Sequence, residues 1–275
     1  MIPILFHIGP FKIYSFGLML GIGFLLGSYI LSLEFKRKHL DPNAASMITI
    51  LAVVFGIAGA KILFLFEEWG TFIRDPLGEA FSPGGLTWYG GFALGLAAVS
   101  LYVRRKKIPV LKLWDGLAVA LMIAYAVARI GCHLSGDGDY GKPTDLPWGT
   151  NYERGSYPPS RAFAIFPEIA NQYPGGIVPD NTPCHPTPIY ELLLGIGGFV
   201  ILWKLRTRPW PDGKLFMVYL ILASLFRFSV EFLRLNPRYL WGLSEAQLVA
   251  CVLFFVGLAG LAYFDKRKVP AKPAS

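Results

Sequence analysis

The stretch ARIGCHLSGDGDYG at 128–141 places an arginine, a cysteine, a histidine and two aspartates within eleven positions, directly after about fifteen apolar residues. A second apolar run, VYLILASLFRFSVEFLRLNP, holds Arg227 deep inside it, with Glu231 four residues on and Arg234 three beyond that. A third segment, HPTPIYE at 185–191, ends on Glu191 as another apolar run begins. An arginine at the centre of a membrane helix costs roughly 2.5–3.5 kcal/mol on insertion scales. Charges kept at such positions therefore mark a functional-site hypothesis. Arg227 and Glu231 share a helix face, so an intrahelical pair is the simplest reading of those two, and Glu191 can pair with either arginine of that row. The reading with chemistry in it is a phosphate site. Guanidinium forks grip phosphate bidentately and stay charged at any relevant pH. Arg129 and Arg227 come from different helices near one face of the bilayer, with Gly131 and Gly136 allowing close approach. In that setting the expected anion is a phospholipid headgroup.

The remaining reactive groups carry weaker signals. Asp137 and Asp139 either orient His133 or form a turn with Gly136 and Gly138. GDGD falls short of the ligand series of an EF-hand, and no metal is expected. The three cysteines have no CxxC spacing. Cys132 and Cys184 are either a disulfide of an oxidising compartment or small buried residues, and Cys251 is a packing residue. Lys61, late in its apolar run and close to Glu67 and Glu68, reads as an interfacial lysine.

The elements that must position these groups follow from composition. The chain has 275 residues, of which 54% are hydrophobic and only 16% charged, well below the roughly 25% charged content of soluble domains. That excludes an ordinary soluble enzyme. Seven stretches approach the roughly 20 apolar residues of a membrane span: 13–33, 45–66, 86–103, 113–131, 188–203, 214–233 and 246–264. The expected fold is therefore an all-α integral membrane protein with seven transmembrane helices, a single polytopic domain over 1–275. Sixteen Lys and Arg lie in the odd-numbered connections and the C-terminus, and six in the even-numbered ones. The positive-inside rule then puts the N-terminus outside and the C-terminus inside. RRKK at 104–107 and KLRTR at 204–208 become cytoplasmic anchors, so the formal charge of +8 calls for no nucleic acid. No removable signal peptide is read at the N-terminus. The connection 132–187, between helices four and five, is proline- and glycine-rich yet carries Trp148, Tyr152, Tyr157, Phe163, Ile165 and Phe166. It reads as a small ordered extracytoplasmic cap with short strands, and the site faces outward.

The segments IGPFKIYSFGLML (8–20), GGLTWYGG (84–91), ARIGCHLSGDGDYG (128–141), HPTPIYE (185–191), FRFSVEFLR (226–234) and LSEAQLVA (243–250) together resemble the bacterial prolipoprotein diacylglyceryl transferases. The resemblance covers almost the whole membrane part and little of 142–184. It implies a multi-pass enzyme of the bacterial cytoplasmic (inner) membrane. Such an enzyme moves the diacylglyceryl group of phosphatidylglycerol to the lipobox cysteine of a preprolipoprotein and releases glycerol phosphate, with no cofactor. The family's signature arginine falls on Arg129 and a second functional arginine on Arg227. Tyr89 stands where the best-known members have histidine, and Cys132, followed by His133, where they have asparagine. Phe16 falls on a first-span tyrosine, with Tyr14 two positions earlier. The expected lipid-binding set is Arg129, Arg227, Gly131, Gly136, Tyr14, Glu191 and Glu231. His133, with an unperturbed pKa near 6.5, and Tyr89, near 10, are the expected proton-handling groups. A related transferase with the same donor and another acceptor is the first alternative. An anion or lipid transporter is the second, although the paired broken helices of transporters are missing from the pattern.

Overall fold

The computed structural model describes residues 1–9, 11–82 and 87–266. Pro10, the Gly84, Gly85 and Leu86 of GGLTWYGG, and the basic C-terminal stretch from 267 lie outside the described residues. Strands β1 (Ile4–Ile8) and β2 (Phe11–Tyr14) pair antiparallel and lead into helix α1 (Ser15–Arg37). Helix α2 (Pro42–Glu67) is followed by the short α3 (Trp69–Phe72) and α4 (Pro76–Phe81), then α5 (Trp88–Arg105) and α6 (Val110–Ser135). The long connection after α6 holds β3 (Thr150–Asn151), α7 (Pro159–Ala162), α8 (Pro167–Ala170) and β4 (Pro183–Cys184). Helices α9 (Thr187–Leu205), α10 (Lys214–Glu231) and α11 (Glu245–Asp265) complete the described chain.

Each of the seven apolar stretches read from the sequence coincides with a long helix, and five of these (α1, α2, α6, α9 and α11) are long and apolar enough to cross a membrane. The other two are more polar. Helix α10 carries Lys214, Arg227 and Glu231, and α5 carries Arg104 and Arg105. The hairpin β1–β2 replaces the beginning of the first predicted stretch. ILFHI and FKIY are rich in β-branched and aromatic residues on either side of Gly9, whose φ of 57° suits the turn.

The chain divides into two compact units, Ser28–Leu113 and Met1–Gly27 with Trp114–Ser275. In the smaller unit, α2 starts on an Asp41 cap, whose carboxylate accepts from the Asn43 N–H at 2.9 Å, with Pro42 in the first turn. Helices α2 and α5 meet through glycine. A Cβ on Gly59 would run into the Gly90 carbonyl, and one on Gly90 into the Gly59 carbonyl. Small residues at a seam let two membrane helices approach backbone to backbone. Lys61 donates to the hydroxyl and carbonyl of Ser82 at 2.8 and 3.1 Å, and Glu67 accepts from Thr87.

In the larger unit α6 is the central element. A Cβ on its Gly131 would press on Phe16 and Met19 of α1 at 3.0–3.2 Å, so this glycine serves a helix crossing. Helix α6 runs unbroken through it to Ser135. Near the other end, the buried Asp115 accepts the N–H groups of Gly213 and Phe216, both at 3.0 Å, and so caps α10, whose own N-cap glycine offers no side chain. Helix α11 opens on a capping box formed by Ser244 and Gln247. The connection between α6 and α9 has its own core of Tyr140, Tyr152, Ala162, Phe163, Val178 and Cys184. Tyr140 and Tyr152 stack at 4.2 Å, and β3 pairs with β4.

Candidate functional site: an arginine–carboxylate cluster

Three arginines and three carboxylates from five segments of the larger unit converge. Arg129 lies in the last turns of α6, Glu191 in the first turns of α9, and Arg227 and Glu231 at the end of α10. Asp139 follows α6 and Arg234 follows α10; the two segments are joined by a bridge between Gly141 and Arg234. Glu191 is the hub. Its Oε1 accepts from Tyr125 Oη at 2.8 Å and from Arg227 Nη1 at 3.0 Å, while its Oε2 faces Arg129 Nε at 3.1 Å and Arg234 Nη1 at 3.3 Å. Glu231 pairs with Arg227 Nη2 at 2.9 Å and is held from behind by Asn236 at 2.6 Å and the Ser244 hydroxyl at 2.7 Å. Asp139 accepts from Arg129 Nη1 on Oδ2 at 2.5 Å and from Arg234 Nη2 on Oδ1.

Burial sorts the members. The side chains of Glu191 and Glu231 are 2% and 0% exposed and that of Arg234 8%, whereas Arg129, Arg227 and Asp139 reach 18%, 28% and 33%. Arg129 and Arg227 are the arginines facing the accessible side. Neither is saturated: Arg129 Nη2 and Arg227 Nε have no hydrogen-bond partner among the described residues. Arg129 Nε is within ion-pair distance of Glu191 but is not aligned for a hydrogen bond. The Arg129 guanidinium also lies 4.6 Å from the Tyr125 ring centroid, within cation–π range. Two flanking guanidiniums with unused donors are suited to an oxyanion such as a phosphate oxygen.

Outside the spans, the charges follow their neighbours. Burial would raise the Asp139 carboxyl, but Arg234 and then Arg129 outweigh it and hold its pKa at about 2. Arg234 is pushed up, the carboxylates of Asp139 and Glu191 overcoming its burial. Burial and then the charge of Asp139 raise the Asp137 pKa. Asp139 is therefore an ion-pair partner and no base. Asp137 forms the turn, accepting the Asp139 N–H at 3.2 Å. Together with Cys132 these aspartates make a compact group of acidic and thiol ligand atoms, but Asp139 is committed to two guanidiniums.

The other predicted residues lie as follows. His133, on α6 one turn beyond Arg129, has its Nδ1 3.1 Å from Tyr152 Oη. Gly136 adopts φ 56° just past the α6 terminus, and a Cβ there would meet Gly155 at 2.7 Å. Gly131 and Gly136 thus serve close backbone approach. Tyr14 ends β2, half exposed, opposite Ile4. Tyr89 lies in the first turn of α5, in the smaller unit, edge-on to Trp88. Cys132 and Cys184 are buried free thiols, and burial pushes Cys184 up to about 12. Arg129, Arg227, Glu191 and Glu231 are brought together as the sequence suggests. Asp139, Arg234 and Tyr125 join them. Tyr125 had one signal, its place one turn before Arg129 on the same helix face.

Apolar helices long enough to span a bilayer, with an ionised cluster buried among their ends, define a multi-pass membrane protein with a polar site at those ends. The prolipoprotein diacylglyceryl transferase family model matches residues 3–263, and the chain belongs to that family. Its relatives include proteins named phosphatidylglycerol–prolipoprotein diacylglyceryl transferase. One from Clostridium tetani is 29% identical, covering 94% of this chain and 96% of the relative. One from Trichormus variabilis is 30% identical (98% and 91%), and one from Synechococcus elongatus is 31% identical (98% and 90%).

Proposed function

We propose that this chain transfers the diacylglyceryl group of phosphatidylglycerol to the lipobox cysteine thiol of preprolipoproteins, in the bacterial inner membrane. The observation that carries the reading is the pair Arg129 and Arg227, flanking Glu191 with donors to spare, in a chain of this family. In the reaction the cysteine sulfur bonds to the glyceryl carbon that carries the phosphate. The carbon–oxygen bond breaks, and its electron pair leaves with glycerol phosphate. Negative charge grows on the leaving phosphate, so fixed guanidiniums gain strength as the bond breaks. Glu191 and Glu231 hold the two arginines in place, which spares the site reorganisation.

The thiol must lose its proton, since thiolate is the nucleophile. His133 is the proposed acceptor. This requires the tautomer in which Nδ1–H donates to Tyr152 Oη, leaving Nε2 with its lone pair. For Tyr89 the proposed role is to donate to the headgroup, because a neutral phenol is a poor base near pH 7. The remaining roles, for Tyr14, Gly131 and Gly136, are to shape the lipid's approach. The reading includes seven spans, an outer N-terminus, a cytoplasmic C-terminus and a cap over 132–187 on the outer side, supported by the distribution of Lys and Arg.

The direct test reconstitutes the full chain in phosphatidylglycerol vesicles with a lipobox peptide. The expected result is a diacylglyceryl mass on the cysteine and stoichiometric glycerol phosphate. Release of glycerol phosphate only with a different acceptor would identify a related transferase, and no release at all would refute the reading. Orientation is read with single cysteines in a Cys-free background. Positions 104–107 and 204–208 should be shielded from an impermeant thiol reagent in intact cells, and one near Asn171 should react.

A further inference from the structure

Glu191 and Glu231 belong to helices and are fully buried. Asp139 differs on both counts. It stands on the segment after α6, a third exposed, and it is the one carboxylate of the cluster that touches Arg129 and Arg234 without touching Arg227. Its backbone is fixed as firmly as its side chain. The Asp139 carbonyl accepts the buried Thr187 hydroxyl at 2.6 Å, its N–H is taken by Asp137, and Gly141 N–H bonds to the His185 carbonyl at 2.9 Å. The consequence falls on Arg129. Its Nε faces Glu191 without hydrogen-bond alignment, so the Asp139 contact is the only aligned carboxylate bond that Arg129 makes among the described residues. A guanidinium bonded to a fixed carboxylate at Nη1, with Nε against a second carboxylate, is restrained from swinging about its long side chain, and its Nη2 is left without a hydrogen-bond partner among the described residues.

We infer that Asp139 is a positioning residue: it fixes Arg129, braced through Arg234, so that the Nη2 edge is turned toward the phosphate of the lipid donor. This rests on the proposed function for the identity of the ligand but stands on its own geometry. Positioning and plain electrostatics differ in sign. Removing a carboxylate beside an anion site relieves repulsion and would tighten anion binding. Losing the brace lets Arg129 turn away and weakens it.

The experiment measures glycerol phosphate binding to the full-length protein in nanodiscs by calorimetry, alongside diacylglyceryl transfer by the same preparations. Asp139→Asn keeps the shape, loses the charge and turns an amide N–H2 toward one guanidinium. The loss of one charge-assisted hydrogen bond to Arg129 should weaken binding about tenfold or more. Asp139→Glu keeps the charge but displaces it, and should weaken binding about threefold, between the other two proteins. In the Arg129→Gln background Asp139→Asn should have no further effect, whereas a merely structural role would add its own loss. Binding that is unchanged or tighter in either variant overturns the inference, as does a wild type that binds no glycerol phosphate; Asp139→Glu decides alone if Asp139→Asn does not fold. A wild type that binds glycerol phosphate yet transfers nothing would sink the proposed reaction and leave the Asp139 comparison intact.

Discussion

Replacing Glu191 with glutamine tests whether the cluster is as tightly interlocked as its distances imply. Glu191 is 2% exposed and meets four groups, two on each oxygen: Tyr125, Arg227 and Arg234 donate hydrogen bonds, and Arg129 Nε makes an ion-pair contact. Glutamine retains one oxygen. Whichever way the amide is turned, two donors keep an acceptor and two meet an N–H2 group. Either Tyr125 Oη and Arg227, or Arg129 and Arg234, lose their partner. The change also leaves three arginines against two carboxylates. Removing one partner of a buried ion pair costs about 3–5 kcal/mol because the other charge stays buried. With half of the contacts kept, Glu191→Gln should fall near the lower end, about 3 kcal/mol, and Glu191→Ala near the upper end, about 5 kcal/mol. Equilibrium unfolding in mixed micelles, followed by tryptophan fluorescence and far-ultraviolet circular dichroism, measures both. Transfer should fail in both variants, since Arg129 and Arg227 lose their common anchor. A loss below about 1 kcal/mol for Glu191→Gln, the range of exposed ion pairs, would refute the interlocked cluster.

Arg129→Lys should lower transfer by about a hundredfold or more with the fold retained, because an ammonium cannot reproduce the fork; transfer near wild type would remove Arg129 from the phosphate site. His133→Gln should lower the rate and flatten its pH dependence between about 5.5 and 7.5, and an unchanged profile would assign the thiol proton to another group. Tyr89→Phe should raise the KM for phosphatidylglycerol while largely sparing kcat. Gly59→Val should destabilise the smaller unit by about 1–3 kcal/mol in thermal unfolding, because the seam with Gly90 has no room for a side chain.

The helices were legible because a bilayer imposes length and apolarity on anything that crosses it, and that demand is written directly in the residues. Arg227 and Glu191 were legible for the reverse reason, as charges where charge is expensive. The hairpin β1–β2 escaped a reading tuned to long apolar runs, although ILFHI and FKIY stand on either side of a Gly-Pro pair in the sequence. Gly131 was legible as a place of close approach, and in the structure its missing side chain makes room for Phe16 and Met19 while α6 continues. The partners of Asp139 were beyond reach for a different reason. Arg234 lies 95 residues away, and nothing local distinguishes a turn aspartate from one clamped by two guanidiniums. Tyr125, an aromatic inside an apolar run, shows its polar role only when Glu191 is beside it.

The three guanidiniums and three carboxylates of the cluster leave it with no formal net charge. Long-range attraction of ions depends on such a net charge, and what little field escapes is screened within about 8 Å at physiological salt. On the proposed function, the cluster itself therefore does not draw an anionic lipid in from afar or turn a zwitterionic one away. Both sample the opening at rates set by their abundance in the membrane. On the same proposed function, discrimination begins only at contact, when a headgroup either takes the unused edges of Arg129 and Arg227 or leaves. Raising the ionic strength should accordingly change the selectivity among lipids very little, and membrane composition should govern how often the site is tried.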